Sequence, residues 1–137
     1  MDKDIIITRL TELSQKLVDS GIQAEMTIFG GAAMALAYDD RRITHDIDAV
    51  YDPYMQVQIL ALDIHAEKVL PVDWLNSAGN YLINSDTPTL DFMTLPGLKI
   101  KVVTPEFLLA MKIRSSREGT QDFNDTKFLI DKLIIKT

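Results

Sequence analysis

The sequence contains no cysteine, which excludes disulfides, thiolate nucleophiles and Cys-ligated zinc from its chemistry. Histidine is nearly as scarce, and His45 and His65 stand too far apart to suggest a His-based metal site. No apolar stretch approaches the roughly 20 residues of a membrane helix. The start, MDKDIIITRL, lacks the basic segment and apolar run of a secretory signal. A cytoplasmic protein with no membrane partner is the expectation. There is no internal repeat, low-complexity run or linker-like stretch. A broad basic surface is also missing: the net charge of −6 argues against coating nucleic acid by neutralising phosphates.

With 137 residues, 47% of them hydrophobic and 25% charged, the chain fits a single domain, 1–137, with an ordinary core. Its charge is uneven. Residues 1–97 carry 6 Lys/Arg against 15 Asp/Glu, whereas residues 98–137 carry 8 against 5. An acidic, metal-binding half beside a basic tail half suits a polyanionic small ligand held through Mg²⁺.

Residues 4–20 place Ile6, Leu10, Leu13 and Leu17 at helical spacing, between Asp2 or Asp4 as N-caps and Gly21 as terminator. Residues 22–29, IQAEMTIF, alternate as a strand and end at Gly30-Gly31; the Ala-rich AAMALAY then makes a short helix. A charged connection, Asp39 to Arg42, leads to a strand over 46–51. Asp52-Pro53 starts a helix over 54–68, with Met55, Ile59, Leu62 and Ala66 as buried candidates. Residues 69–89 read as loops with one short strand at 81–83, and Trp74 reads as a core plug. Strands over 90–95 and 98–103 meet at Pro96-Gly97 as a hairpin. Thr104-Pro105-Glu106 starts a helix to about Arg117, and Asp122 or Asn124 opens the last one. The order implies an α/β or α+β domain with a mixed sheet flanked by helices.

The stretch 28–50 carries the chemistry. Gly30-Gly31 before a helix lets backbone approach a phosphate and presents free N–H groups to an anion. Asp46 and Asp48, two apart on a strand, share one face, and their mutual repulsion favours a cation between them. Set among Ile47, Ala49 and Val50, the pair is embedded in apolar chain, unlike a surface Asp-x-Asp. Mg²⁺ takes such oxygen ligands and completes its octahedron with water or phosphate. Arg41 and Arg42 read as solvating the loop, with one of them able to clamp a phosphate.

Gly-Gly, a short helix, then Arg42-Ile43-Thr44-His45-Asp46-Ile47-Asp48 resembles the signature of the polymerase-beta-like nucleotidyltransferase superfamily. It looks most like the small prokaryotic members related to the abortive-infection type IV toxins. Trp74-Leu75-Asn76, Thr104-Pro105-Glu106 with Leu108 to Lys112, then Arg117 and Asp122-x-x-Asp125 are similar to that group's later motifs. The likeness covers roughly residues 26–130.

The resemblance implies a minimal nucleotidyltransferase fold and an enzyme of EC 2.7.7 type, moving a nucleoside monophosphate from an NTP such as ATP to an acceptor. The acceptor class is RNA, protein or a small molecule. Asp46 and Asp48 would hold two Mg²⁺ ions, with Asp91 as third carboxylate, metal ligand or base. Gly30 and Gly31 would line the triphosphate, and Arg42, Thr44, Lys112 and Arg117 would bind the nucleotide. Asp122 and Asp125 would serve the site from the last helix. A homodimer or a cognate partner, as in toxin-antitoxin or defence systems, would supply acceptor choice. The rival from another class is a catalytically silent domain of this fold acting as an interaction module. A DxD glycosyltransferase is disfavoured by the short chain and the Gly-Gly.

Overall fold

A computed structural model describes the backbone of residues 1–115 and 121–136, and side chains over 1–113 and 124–133. The elements run α1 (Lys3–Asp19), β1 (Ala24–Phe29), α2 (Gly30–Ala33), which continues as a π-helical turn (Met34–Tyr38), and β2 (Ile47–Asp52). Then come α3 (Tyr54–Lys68), β3 (Leu75–Asn76), β4 (Thr89–Leu95), β5 (Leu98–Val103), α4 (Pro105–Ser115) and α5 (Gln121–Lys136). The sheet order is β3-β2-β1-β5-β4. The pairs β1/β5 and β2/β3 are parallel, and β1/β2 and β4/β5 antiparallel. This is the α+β architecture with a mixed sheet that the element order implies.

Local chemistry sets the boundaries. Asp2 accepts the Ile5 N–H at 2.9 Å, satisfying a donor that the first turn of α1 cannot pair internally. The expected stripe Ile6, Leu10, Leu13 and Leu17 is buried. Thr104 caps α4 by accepting the Phe107 N–H at 3.3 Å. On β5, Leu98, Ile100 and Val102 are buried while Lys99 and Lys101 point the other way. Register places them beside Ala24, Met26 and Ile28 of β1, and β1 sets Met26 opposite Tyr51 and Ile28 opposite Ala49. That apolar face packs against α1 and α3. Each large side chain fully removed from water there contributes about 1.5–3 kcal/mol. The opposite face carries Phe29, Asp48 and Val103 toward one end, and Thr27, Val50 and Lys101 toward the other.

Two expectations are corrected. Met55, Ile59, Leu62 and Ala66 of α3 are exposed, and the core takes Val57, Ala61 and Ile64 instead. This helix is apolar on two sides, so periodicity alone cannot say which side the sheet covers. The third strand is Leu75–Asn76, and the expected strand at 81–83 overlaps a 3₁₀ turn over Asn80–Leu82. Trp74 is a core plug as expected, 1% exposed, with its indole N–H donated to the Ala61 carbonyl at 2.9 Å.

Candidate active site

β1 runs straight into the glycine pair, and antiparallel pairing sets Phe29 opposite Asp48. Gly30 turns the chain with φ at +65°, in the left-handed region that a Cβ disfavours. A Cβ on Gly30 would stand 2.7 Å from Asp48 Oδ2. A Cβ on Gly31 would stand 2.9 Å from both Arg42 Nη2 and Thr44 Oγ1. The two glycines therefore make room for three expected site side chains.

The loop after α2 aims those side chains. Asp39 accepts the Arg41 N–H on its carboxylate at 3.1 Å and the Arg42 N–H on its carbonyl at 3.0 Å. The resulting turn sends Arg41 outward, its side chain 84% exposed, and Arg42 inward, 11% exposed. Arg42 thus leaves the solvating role that the charged loop suggested. Thr44 is buried and donates its hydroxyl to the Asp46 carbonyl at 3.1 Å, fixing the backbone at the entry to β2. Its N–H bonds the Met1 carbonyl at 2.9 Å, tying this loop to the start of the chain.

Arg42 meets two residues from the C-terminal helices. Its Nε lies 3.0 Å from Asp125 Oδ1, and its Nη2 lies 3.2 Å from Asp125 Oδ2. Lys112 Nζ lies 3.2 Å from the same Oδ2. The Lys112 and Asp125 side chains are 7% and 2% exposed. Arg42 and Lys112 thus converge on one buried carboxylate, away from water where their fields are weakly screened.

Gly30, Gly31, Arg42, Thr44, Asp46, Asp48 and Lys112 line one cavity of about 320 Å³, together with Leu82, Leu108 and Met111. The structure thus gathers seven of the expected residues around one space and puts Asp125 directly behind it. An acid pair, a glycine turn and buried cations around a volume of ligand size are what a metal-bridged polyphosphate requires.

A family model described as "Nucleotidyltransferase of unknown function (DUF6036)" matches residues 6–136, from α1 to α5. The chain belongs to this nucleotidyltransferase family. No curated protein and no solved structure matches it. The mixed sheet flanked by helices is accordingly a minimal nucleotidyltransferase fold.

Of the remaining expected residues of this nucleotidyltransferase, Asp91 stands away from the cavity. Asp91 is exposed on β4, opposite Lys101, with β5 and β1 standing between it and β2. At about 4.8 Å per strand, β4 lies roughly 14 Å from β2. Asp91 does share the sheet face of Asp48, since Lys101 is opposite Thr27 and Thr27 opposite Val50, but it does not line the cavity. Arg117 and the Asp122 side chain lie outside the described residues. His45 is exposed and is not among the cavity's lining residues.

Asn76, which the sequence motif names without a role, donates from Nδ2 to Asp46 Oδ2 at 2.8 Å. Its own carbonyl oxygen accepts the Ala78 N–H at 3.3 Å, so the amide orientation follows from both bonds. The Trp74-Leu75-Asn76 motif marks the position, but a two-residue strand between polar loops gives too little periodic signal to show which way Asn76 faces. Leu82, Leu108 and Met111 were given no role at the site either, and only the fold places them at the cavity.

Proposed function

We propose that this nucleotidyltransferase binds an NTP with Mg²⁺ in the Gly30-Gly31 cavity and transfers its nucleoside monophosphate to an acceptor hydroxyl. The juxtaposition of Asp46 and Asp48 with the Gly-Gly turn and the Arg42/Lys112 cations supports this reading. Asp46 and Asp48 are hard carboxylates of the kind magnesium takes; among the described residues no cluster of three or more His, Cys, Asp or Glu stands with them, so the chain's own groups do not complete a metal site. Phosphate oxygens and water then complete the octahedron. Asp46 and Asp48 would hold the ions, which when bound supply charge neutralisation at the phosphates and a more acidic attacking oxygen.

The chain's own groups do the rest. Gly30 and Gly31 admit the triphosphate close to backbone. Arg42 and Lys112, held by Asp125, face the negative charge that grows on the departing pyrophosphate. Leu82, Leu108 and Met111 offer an apolar wall of the kind a nucleobase or ribose packs against. Asn76 keeps Asp46 in place. The acceptor oxygen bonds to the α-phosphorus, the bond from that phosphorus to the bridging α–β oxygen breaks, and the acceptor proton passes to solvent. Asp91 is left out of this arrangement. The Arg42-x-Thr44-x-Asp46-x-Asp48 spacing supports a place beside the abortive-infection type IV toxins, and hence a role in a toxin-antitoxin or defence pair.

One observation favours the silent interaction module as a second reading: the expected third carboxylate stands off the cavity. Incubation with each α-phosphate-labelled NTP, Mg²⁺ and total cell extract separates the two. Enzyme activity places label in one acceptor class, RNA, protein or small molecule, and Asp46→Asn with Asp48→Asn removes it. No label from the native chain with any NTP overturns the transferase reading in favour of the silent one.

A further inference from the structure

We infer that this chain self-associates through the outer face of α3, which packs antiparallel against α3 of a second copy. Met55, Ile59, Leu62, Ala66 and Val69 succeed one another at intervals of 4, 3, 4 and 3 residues, the spacing of a seam between two packed helices. The larger four are exposed in the single chain: Met55 61%, Ile59 54%, Leu62 46% and Val69 90%. Isolated exposed apolar residues need no explanation, but a continuous stripe marks a contact surface. It is not spare core, because Val57, Ala61 and Ile64 already fill the sheet side of the same helix.

Val69 adds an independent sign. It ends α3 in the left-handed conformation, φ 54° and ψ 46°, where glycine is the usual choice and a β-branched residue is strained. With its side chain in water, neither backbone preference nor burial within the chain accounts for a valine there. A partner covering the stripe does.

The seam is complementary to itself in one orientation. Run antiparallel, Ile59 packs on Leu62 of the second copy, and long Met55 packs on its small Ala66, so volumes match at both ends. Parallel pairing sets Met55 on Met55 and Ala66 on Ala66, crowding one end and leaving a gap at the other. The antiparallel flanks set Gln56 beside Asp63 and Gln58 beside His65, with no carboxylate facing another. Glu12 and Glu67, which border α3 on the α1 side, are already paired with Lys68 and Lys16 at 3.2 and 2.7 Å. The net charge of −6 disfavours an anionic membrane surface as the occupant.

The 15 residues of α3 span about 22 Å. With Tyr54 and Val72 at the ends, the contact approaches the low end of specific interfaces, on the order of 600 Å² per copy, and a dissociation constant in the micromolar range. Because α3 covers the sheet face opposite Asp48, the proposal stands or falls independently of the nucleotide site.

Sedimentation equilibrium of the full chain over about 1–200 µM brackets that range. The native chain is expected to rise from 15.4 kDa toward twice that mass. The Ile59→Glu, Leu62→Glu double variant is expected to stay monomeric, with an unchanged far-ultraviolet spectrum showing that it folds. Because the chain has no cysteine, mixing Ile59→Cys and Leu62→Cys copies under oxidation reads orientation directly. Cross-links between unlike copies are expected to outnumber those between like copies. A native chain that stays monomeric throughout, including one that binds a different protein, overturns the inference. So does a dimer that survives the glutamates, or one in which like copies cross-link preferentially.

Discussion

Replacing Gly30 by alanine tests whether the glycine turn and the acid strand are one construction. Gly30 has φ at +65°, and a Cβ there would stand 2.7 Å from Asp48 Oδ2. The left-handed backbone costs a residue bearing Cβ about 1–2 kcal/mol. Relieving the contact drives the Asp48 side chain off its rotamer, a further 0.5–1.5 kcal/mol or about that. Gly21→Ala is the internal control, since Gly21 has φ at +69° with nothing within 4 Å of its would-be Cβ. Gly21→Ala therefore carries the strain alone. Gly30→Ala should be less stable than Gly21→Ala by about 1 kcal/mol, roughly 3–5 °C in melting temperature for a chain of this size. The functional difference should be larger. A displaced Asp48 should weaken Mg²⁺-dependent NTP binding at least about tenfold, or 1.4 kcal/mol, while Gly21→Ala titrates as native. Thermal melts and calorimetric titration of the two variants side by side decide it. If they melt together and bind alike, the close approach of Gly30 to Asp48 has no bearing on the site.

Other predictions address the side chains around the cavity. Asp125→Asn leaves Arg42 and Lys112 buried against a neutral amide, and breaking such a buried arrangement should cost about 3–5 kcal/mol; urea denaturation reads this, and a loss under about 1 kcal/mol contradicts the shared anchoring role. Asn76→Ala removes the hydrogen bond to Asp46 and should cost only about 1 kcal/mol of stability while clearly reducing nucleotide binding; unchanged titration would show that Asp46 needs no such support. Tyr38 donates its hydroxyl to the Val103 carbonyl at 2.6 Å, and burial, helped by the Glu106 charge, pushes its pKa up from 10.0 to about 12. The fold thus holds that proton more tightly than the unfolded chain does. Its stabilisation is full below pH 10 and is lost as pH rises through about 12. Tyr38→Phe should flatten that part of the alkaline unfolding profile, and an identical profile would rule Tyr38 out as its source.

Much of this was legible in the residues because strong local signals agreed with the tertiary solution. The Ile6 to Leu17 stripe, the alternation along Leu98 to Val103 and the Thr104-Pro105 start each specify an element by themselves. Gly30-Gly31 alone reads as a tight turn and Asp46-x-Asp48 alone as a common acid pair; they pointed to a site because they stand together, joined by the Arg42-x-Thr44 spacing. What stayed hidden depended on which elements become neighbours. The two apolar sides of α3 are equivalent until the sheet covers one. Asp91 between Leu90 and Phe92 looks like Asp48 between Ile47 and Ala49, yet strand order sets it three positions away in the sheet. Arg42 in a run of charges looks solvated until Asp125, 83 residues on, meets it in the fold.

The central claim is that Asp46, Asp48 and the glycine turn form one magnesium-dependent nucleotide site. Calorimetric titration of the full chain with each NTP, with and without Mg²⁺, tests it most directly. The account predicts saturable binding of at least one NTP that requires Mg²⁺ and disappears in the Asp46→Asn, Asp48→Asn variant while the fold persists. No binding by the native chain, or binding indifferent both to Mg²⁺ and to the loss of the two acids, would contradict it.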